Sequence, residues 1–436
     1  MFLKTLCLPL VITFLSLSSY CFGLGRYREE DPFHVDFRRG RAYHHPTSYR
    51  HPYFRTFGVR GQPKYHNSYY NNEIQSRLDR ASGAATPKVV NVDDFGAKAN
   101  GRDDSQAFKK AWNYACSSSQ GAIMVVPKKK IYRLKPINFS GPCKSPLLLK
   151  IYGTLEATED HSDYQDNGRR WLYFDNVENL RVEGGGIIDG NGKTWWEKSC
   201  KVNKALPCKE APTVSFSISV LLQFFVYGAV TFNECTNLRV SSLRIKDAQQ
   251  MHVIFQKCVN VKAFNLLVTA PGNSPNTDGI HVTGTQNIYI NNCVIGTGDD
   301  CISIVSGSKN VRATGITCGP GHGISIGSLG AGNSAAYVSN VIINKATLSG
   351  TDNGVRIKTW QTSAVQVSNV LYQNIRGTSA SNVAMKFDCS QSVPCRQIYL
   401  QNVALKAEET KQASSSCANV ILSYRGDVSP PCSSRS

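Results

Sequence analysis

The stretch that decides the fold is residues 286–326, which read QNIYINNCVIGTGDDCISIVSGSKNVRATGITCGPGHGISI. Short runs of alternating apolar residues are separated by turns rich in Gly, Asn and Asp, with no helical pattern between them. An Asn followed by an aliphatic residue opens each unit, at Asn237, Asn260, Asn287, Asn310, Asn340 and Asn369. The spacings of 23, 27, 23, 30 and 29 residues are typical of a parallel β-solenoid, in which each unit forms one coil.

The same pattern predicts two further features of the solenoid. The repeated Asn residues should form ladders of side-chain hydrogen bonds from coil to coil. One helix should precede the coils, because Asp104 and Ser105 can cap it and apolar residues follow at helical spacing. These apolar residues are Ala107, Phe108, Ala111, Trp112 and Ala115. A leucine-rich repeat is the competing solenoid, but its Leu-rich consensus is absent. We therefore expect an all-β parallel β-helix with a short N-terminal capping helix.

Composition limits the partners. Hydrophobic residues make up 41% of the 436 residues, enough to form a core, and this excludes a wholly disordered chain. The 49 Lys and Arg outnumber the 31 Asp and Glu, which gives a net charge of +18. Such an excess predicts an anionic partner, which could be nucleic acid, a membrane surface or an acidic polymer.

The beginning of the chain favours the acidic polymer. Residues 1–23 combine a basic start with an apolar run at 6–17 and then small and polar residues, the pattern of a secretory signal peptide. The run is shorter than the roughly 20 apolar residues that cross a membrane, so we expect no membrane partner once the signal is removed. A secreted, extracellular protein should not meet nucleic acid, and its cysteines can form disulfides.

Residues 24–87 differ in composition from everything that follows. They hold eleven Lys or Arg, six acidic residues and five His, with almost no aliphatic residues. Such a segment cannot bury enough apolar surface to offset its ordering entropy, so we expect little order in it. It is either a linker or propeptide, or a basic arm that holds the protein to an acidic polymer. The β-helix is expected at residues 88–432.

The cysteines predict several local disulfides. Without Cys7 and Cys21 of the signal peptide, 13 of the 15 cysteines remain, so at least one is free or bridges two chains. The close pairs are Cys200/Cys208, Cys301/Cys318, Cys389/Cys395 and Cys417/Cys432. No pair has the spacing of a zinc site, and we predict no metal. Asn138, in the sequence Asn-Phe-Ser, is a candidate for N-glycosylation.

Aligning the coils brings a set of charged residues together. Residues 278–282, 300–304, 322–326 and 353–357 are equivalent, and equivalent positions in adjacent coils lie about 4.8 Å apart. One column then contains Asp278, Asp300 and His322, and a second column, three residues further on, contains His281, Ser303, Ser325 and Arg356. Asp299 and Lys358 flank these columns.

This constellation has no use in folding. A single Asp in a Gly-rich turn is usually a turn former, but stacked carboxylates repel one another and raise one another's pKa. Two chemistries suit the site. Glycoside hydrolysis needs one protonated carboxyl and one carboxylate, whereas a calcium-assisted β-elimination of uronates would use several Asp as ligands and Arg or Lys as base. The adjacent Arg and Lys favour an acidic sugar in either reaction.

At these motifs the sequence resembles the plant polygalacturonases of glycoside hydrolase family 28, from about residue 89 to 432. The matching motifs are Asn276-Thr277-Asp278, Gly298-Asp299-Asp300, Gly321-His322-Gly323 and Arg356-Ile357-Lys358. The resemblance implies a right-handed parallel β-helix that cleaves the α-1,4-galacturonosyl bonds of pectin with inversion. It implies no cofactor, pectin or polygalacturonic acid as the partner, and a place in the cell wall. We expect a monomer.

The resemblance also implies roles for individual residues. Asp299 would be the general acid, and His322 would assist its protonation. Asp278 and Asp300 would orient and deprotonate the water. Asn276, Arg356 and Lys358 would bind substrate, the last two through the galacturonate carboxylate.

Two departures from the family pattern bear on activity. Residues 214–227 are an apolar run with no counterpart in the family, and the coil that normally follows Trp360 is missing. Asn340 and Asn369 are 29 residues apart, so we expect the solenoid to continue in register across the missing coil. Because of these departures, one alternative to hydrolysis is a catalytically weakened pectin-binding protein. The calcium-dependent pectate lyase remains the other alternative.

Overall fold

The structure is a computed structural model that describes residues 86–164, 170–202, 228–361, 363–408 and 412–432. The predicted signal peptide, residues 24–85 and the apolar run at 214–227 lie outside these residues. The expectations for these segments stay predictions.

The described part of the chain is built almost entirely from short strands. In chain order they are β1 (Lys88–Asn91), β2 (Ala122–Val126), β3 (Ile131–Leu134), β4 (Ile137–Ser140), β5 (Leu147–Ile151), β6 (Thr154–Ala157), β7 (Leu172–Asp175), β8 (Leu180–Glu183), β9 (Ile187–Asp189), β10 (Gly228–Asn233), β11 (Thr236–Ser241), β12 (Arg244–Lys246), β13 (Met251–Gln256), β14 (Val259–Phe264), β15 (Leu267–Thr269), β16 (Ile280–Thr283), β17 (Gln286–Asn291), β18 (Val294–Gly296), β19 (Ile302–Ile304), β20 (Lys309–Cys318), β21 (Ile324–Leu329), β22 (Ser339–Leu348), β23 (Val355–Thr359), β24 (Ser368–Ser379), β25 (Val383–Asp388), β26 (Cys395–Ala407), β27 (Ser414–Ala418) and β28 (Val420–Ser429). The two α-helices are α1 (Ser105–Cys116) and α2 (Lys193–Glu197), and three 3₁₀ turns cover Val92–Phe95, His161–Tyr164 and Ala331–Asn333.

The strands form a parallel solenoid. An 8-stranded sheet has the order β23-β21-β19-β16-β13-β10-β7-β4, so each strand pairs with its equivalent in the next coil. A 15-stranded sheet makes the other faces, and β20 joins its two halves. The predicted all-β parallel β-helix is therefore confirmed.

The interior is a continuous stack of apolar side chains. Phe139, Phe174, Phe232 and Phe255 occupy equivalent positions on successive strands, and their ring centroids are 4.9, 4.9 and 5.6 Å apart. The helix α1 packs on this stack through Trp112, whose centroid lies 4.9 Å from that of Phe139. Its five predicted apolar residues are all buried.

The cap of α1 differs from the prediction in one respect. Asp104 stands at the N-cap position, but its side chain makes no capping hydrogen bond. Its carboxylate instead accepts from the backbone N–H groups of Lys98 and Ala99, at 2.7 and 3.1 Å. The loop before the helix thus competes for the carboxylate, and a sequence pattern that considers only the helix misses this.

The Asn ladder forms as predicted over the central coils. Each side-chain amide donates to the side-chain oxygen one coil earlier, at 3.1 Å from Asn260 to Asn237 and at 2.8 Å from Asn310 to Asn287 and from Asn340 to Asn310. These Asn residues have φ between +52° and +58°, a left-handed conformation that Asn tolerates better than most residues.

The pairing of coils and the line of Asn residues that ends at Asn340 are interrupted after β23, so the expected continuation in register is wrong at this point. Within the described residues, the amide of Asn369 reaches only the hydroxyl of its neighbour Ser368, at 3.4 Å. Strand β24 pairs with β26 and not with β22, and β25 pairs with β27 and not with β23. Repeat spacing fixes where each coil turns, but it does not specify which coil edges are hydrogen-bonded. The loss of one coil would leave such a pair of open edges.

Four disulfides link described cysteines. Cys301–Cys318, Cys389–Cys395 and Cys417–Cys432 are formed as predicted, and Cys116–Cys143 was missed because 27 residues separate its members. Cys200 is also disulfide-bonded, but its predicted partner Cys208 lies outside the described residues. The thiols of Cys235, Cys258 and Cys293 are free and buried. Among the described residues, no helix is both long and apolar enough to cross a membrane.

Candidate active site

The outer face of the 8-stranded sheet brings the predicted column together. His281 pairs in register with Ser303, Ser303 with Ser325, and Ser325 with Arg356. Asp278 and Asp300 precede their strands at equivalent positions, and both are nearly buried, at 7% and 3% exposure. The alignment of coils deduced from the sequence is therefore correct, and Asp278 and Asp300 lie beside this row, three residues before His281 and Ser303.

Close contact between two loops holds the carboxylates in place. The hydroxyl of Thr277 donates to the carbonyl of Ser274 at 3.0 Å and accepts from the N–H of Gly298 at 3.0 Å. A Cβ on Gly298 would lie 2.0 Å from the carbonyl oxygen of Ser274. Only glycine fits here, so the residue before Asp299 is dictated by the approach of the two loops.

Asp299 and His322 form a hydrogen-bonded pair. Nδ1 of His322 lies 2.9 Å from Oδ1 of Asp299, which also accepts from the N–H of Asp300 at 2.8 Å. Burial raises the pKa of the Asp299 carboxyl, and the charge of Asp278 raises it further, while His322 and the N–H of Asp300 act in the opposite direction. A carboxyl with a raised pKa keeps its proton to higher pH, as a general acid requires.

Asp300 is surrounded by cationic and hydroxyl donors. Arg356 and Lys358 each lie 3.0 Å from one of its two carboxylate oxygens, and the hydroxyl of Ser325 donates to it at 2.6 Å. Both cationic side chains remain more than a quarter exposed, so they keep donors that face solvent. The sequence predicted all of these residues but not their pairing with Asp300.

Asp278 is held by a different set of groups. The hydroxyl of Ser303 donates to its Oδ2 at 2.5 Å, and Nδ1 of His281 lies 2.8 Å from that hydroxyl. Nδ1 of the fully buried His252 lies 3.0 Å from the backbone carbonyl of Asp278. Burial lowers the pKa of His252, which keeps its imidazole neutral beneath the site. The sequence singled out neither contact of these histidines.

Two further residues touch the site and were missed. Lys201 donates to the side-chain oxygen of Asn276, which adds a cation at the end where Asn276 was expected to bind substrate. Asp352 lies 3.4 Å from Nε2 of His322, on the side of the ring opposite Asp299. Both are remote in sequence from the residues they contact, so neither a motif nor the repeat spacing points to them.

The donor atoms of the site show whether it could bind calcium. One ligand atom each from Asp299, Asp300 and His322 lie within 4.8 Å of one another. Calcium takes six to eight oxygen ligands, whereas this cluster offers two carboxylates and a nitrogen. Arg356 and Lys358 already neutralise Asp300, and they would repel a divalent cation. The donor set therefore does not fit calcium, and it suits acid and base catalysis.

Asn138 lies far along the same sheet. It is exposed on β4, the strand at the opposite end from β23, and it pairs in register with Tyr173. Its exposure suits glycosylation, which stays a prediction.

Comparison with known proteins gives similarities over the whole solenoid. The family model of glycosyl hydrolases family 28 matches residues 116–376 and 361–427. The chain is 53% identical to Polygalacturonase QRT2 of Arabidopsis thaliana, over 89% of this chain and 95% of that protein. It is 49% identical to Polygalacturonase-2 of Solanum lycopersicum, over 84% of this chain and 86% of that protein.

Solved structures share the fold at low identity. An exopolygalacturonase from Thermotoga maritima is 20% identical with a TM-score of 0.60, over 80% of this chain and 96% of that one. The polygalacturonase from Erwinia carotovora is 22% identical with a TM-score of 0.56, over 78% of this chain and 97% of that one.

The family match also bears on the expected absence of a coil after Trp360. It comes in two segments, and the second begins at residue 361, directly after Trp360. This is the point at which the strand pairing of the solenoid is interrupted. The first segment runs on through Trp360 to residue 376, so the family model matches residues 361–376 twice and does not end at Trp360.

Proposed function

Because the chain belongs to glycosyl hydrolase family 28, we propose that it hydrolyses the α-1,4-galacturonosyl linkages of pectin. It acts as a secreted monomer in the cell wall. The observation that carries this proposal is that Asp299, a carboxyl whose pKa is raised, is adjacent in the chain to Asp300, which pairs with the cations Arg356 and Lys358.

Each group has one role in the reaction. Asp299 gives its proton to the leaving glycosidic oxygen, and His322, 2.9 Å away, assists its reprotonation. A water held at Asp278 and Asp300 loses a proton to a carboxylate and attacks the anomeric carbon from the opposite face. Attack opposite to the leaving group inverts the configuration at that carbon.

The positive residues select an acidic sugar. Arg356 and Lys358 keep exposed donors beyond their contacts with Asp300, and these bind the galacturonate carboxylate. Lys201, next to Asn276, adds a third cation at the other end of the site. A charge-assisted hydrogen bond with a carboxylate is stronger than one with a neutral hydroxyl.

The interruption after Trp360 weakens this enzyme. Lys358 lies on β23, the last strand of the 8-stranded sheet, so the cleft lacks the wall that a further coil would form beside it. A misplacement of substrate by about 1 Å can cost about 10²-fold in rate. We therefore expect low activity from the chain as written.

The test is the release of reducing ends from polygalacturonic acid by the purified chain, with and without a calcium chelator. Hydrolysis predicts saturated products that form equally in the presence of chelator. Unsaturated products that absorb in the ultraviolet and disappear with chelator would instead establish a lyase. Binding of polygalacturonic acid without any product would establish a pectin-binding protein that has lost catalysis.

A further inference from the structure

Asp278 and Asp300, the two carboxylates assigned to the water, are held by different sets of side chains. We propose that Ser303 and His281 are positioning residues that hold Asp278 as the base for the water. Asp300 serves instead as the anchor for Arg356 and Lys358. The proposal rests on the proposed hydrolysis and assigns different tasks to two residues that the family pattern treats together.

The first step is the direction of the hydrogen bonds around Asp278. An ionised carboxylate only accepts, so the hydroxyl of Ser303, 2.5 Å from Oδ2, must donate to it. The oxygen of Ser303 is then free to accept, and Nδ1 of His281 at 2.8 Å must carry a hydrogen. The network therefore places a hydrogen on Nδ1 of His281, which donates to Ser303, and the hydroxyl of Ser303 donates in turn to Asp278.

The hydrogen bonds that link His281, Ser303 and Asp278 are shielded from competing polar groups. Ser303 is 3% exposed and His281 is 6% exposed. The neighbour of His281 on β13 is the buried, apolar Ile254, and its neighbour on β19 is Ser303 itself. The carboxylate of Asp278 faces His281, with its Oδ2 3.8 Å from Nδ1. The imidazole thus has one task, which is to orient the hydroxyl that orients the carboxylate.

Asp300 has the same arrangement with a different backing. Ser325 takes the place of Ser303 one coil later, and it donates to Asp300 at 2.6 Å. Ser325 also contacts Arg356, at 3.3 Å, but Arg356 lies one coil after Ser325, whereas His281 lies one coil before Ser303. The repeat has therefore copied the carboxylate and the serine but not the third residue.

The charged groups beside each carboxylate decide which of the two can accept a proton. Protonation of Asp300 would leave Arg356 and Lys358, each at 3.0 Å, without their counter-charge. Among the described residues, no Lys or Arg lies within ion-pair distance of Asp278, so its protonation requires only that the hydroxyl of Ser303 turn away.

The proton balance of the step is then complete. The oxygen of water forms a bond to the anomeric carbon while the bond to the leaving oxygen breaks. The proton of Asp299 goes to that leaving oxygen, and the proton of the water goes to Asp278. His281 and Ser303 exchange no proton in this step and act only through the orientation of Asp278.

The experiment uses the chain as written, labelled with ¹⁵N-histidine, and reads the tautomer of His281 by NMR. The signal is assigned by its absence in His281→Gln. Ser303→Ala should abolish the preference for Nδ1–H, and Ser303→Thr, which keeps the hydroxyl, should restore it. Ser325→Ala is the matched control, since it removes the equivalent hydroxyl one coil later and should leave the tautomer unchanged.

The rates of the same variants link the network to catalysis. Ser303→Ala should lower kcat by roughly 10- to 100-fold, as expected for a misdirected base, with little change in KM. Ser325→Ala should act mainly on KM, because Arg356 loses a contact. An Nε2–H tautomer, or a Ser303→Ala variant as active as the parent, would overturn this proposal while hydrolysis stands. A parent that releases no products at all would overturn the proposed function itself.

Discussion

The central coils and the C-terminal coils are built from the same repeat, but they differ in strand pairing and in the size of their cores. From β10 to β21 every strand pairs with its equivalent in the next coil, and the interior is one cluster of buried side chains. From β24 to β28 the strands pair only among themselves in the described part of the chain, around a second cluster of three buried residues, Met385, Leu400 and Val403.

This difference shows where a solenoid can be interrupted. Each coil contacts mainly its neighbours, so a break affects only the coils at its edges. The coils that carry Asp278, Asp299 and Asp300 lie on the continuous side, and each of these carboxylates accepts a hydrogen bond there. Arg356 and Lys358 lie on the last coil before the break. The interruption should therefore affect substrate placement more than the acid and base.

The largest difference between the two regions should appear when the same substitution is made in each. Asp299→Asn removes the acid proton and should lower hydrolysis by about 10²–10⁴-fold without unfolding the protein. Asp388→Asn, at an exposed Asp on β25 of the C-terminal coils, should leave the rate unchanged. The measurement is kcat on polygalacturonic acid, and an Asp299→Asn variant of normal activity would show that the acid is misassigned.

The next largest effect should come from pH. The pKa of Asp299 is raised by burial and by Asp278, so the acid keeps its proton at pH values where an ordinary Asp has lost it. As pH rises through this raised pKa the acid is deprotonated, and the rate should fall about tenfold per pH unit. On the acid side the rate falls as the bases gain protons. A profile of kcat/KM with its maximum on the alkaline side would contradict this assignment.

A smaller effect is expected at the edge of the break. Arg356→Ala and Lys358→Ala should each weaken binding of an acidic oligosaccharide by about 1.5–3 kcal/mol. Lys386→Ala on β25, where the lysine pairs with Asp388 at 3.3 Å, is the control and should have no effect. Calorimetry with galacturonate and neutral oligosaccharides provides the comparison, and equal losses for both would eliminate the carboxylate pocket.

The smallest effect concerns the Asn ladder. Asn287 and Asn369 both have φ near +57°, but only Asn287 has ladder partners on both sides, at 3.1 and 2.8 Å. Asn287→Ala should therefore cost about 1 kcal/mol more in free energy of unfolding than Asn369→Ala, the worth of a typical net hydrogen bond. Denaturant unfolding of both variants measures the difference, and equal losses would mean that the ladder adds no stability.

The sequence predicted the fold wherever the repeat itself carries the information. The alternation of side chains and the spacing of the Asn residues predicted the parallel pairing, and the register of Ser303 with Ser325 and Arg356 followed from them. The break between β22 and β24 could not be predicted, because Asn369 carries the same motif as Asn340 whether or not the two coils pair. The Cys116–Cys143 disulfide joins a helix to a loop outside the repeat.

The same distinction applies to the site, where the sequence predicted the residues but not the contacts between them. Its members came from motifs and repeat phase, which place side chains on a common face. Their partners depend on side-chain reach across coils, as for Lys358 on Asp300 and Lys201 on Asn276. No spacing in the chain encodes such contacts. The role of His252 beneath Asp278 was likewise invisible, since a histidine in an apolar strand usually indicates only a core residue.

The interruption after Trp360, and not the carboxylate site, should limit the activity of the chain. The measurement is reducing-end release by two proteins, the chain as written and the same chain with a family-type coil inserted after Trp360 and residues 214–227 removed. We expect a gain on the order of 10²-fold in the restored protein, which is the cost of a misplaced substrate. Full activity in the chain as written, equal to that of the restored protein, would contradict it.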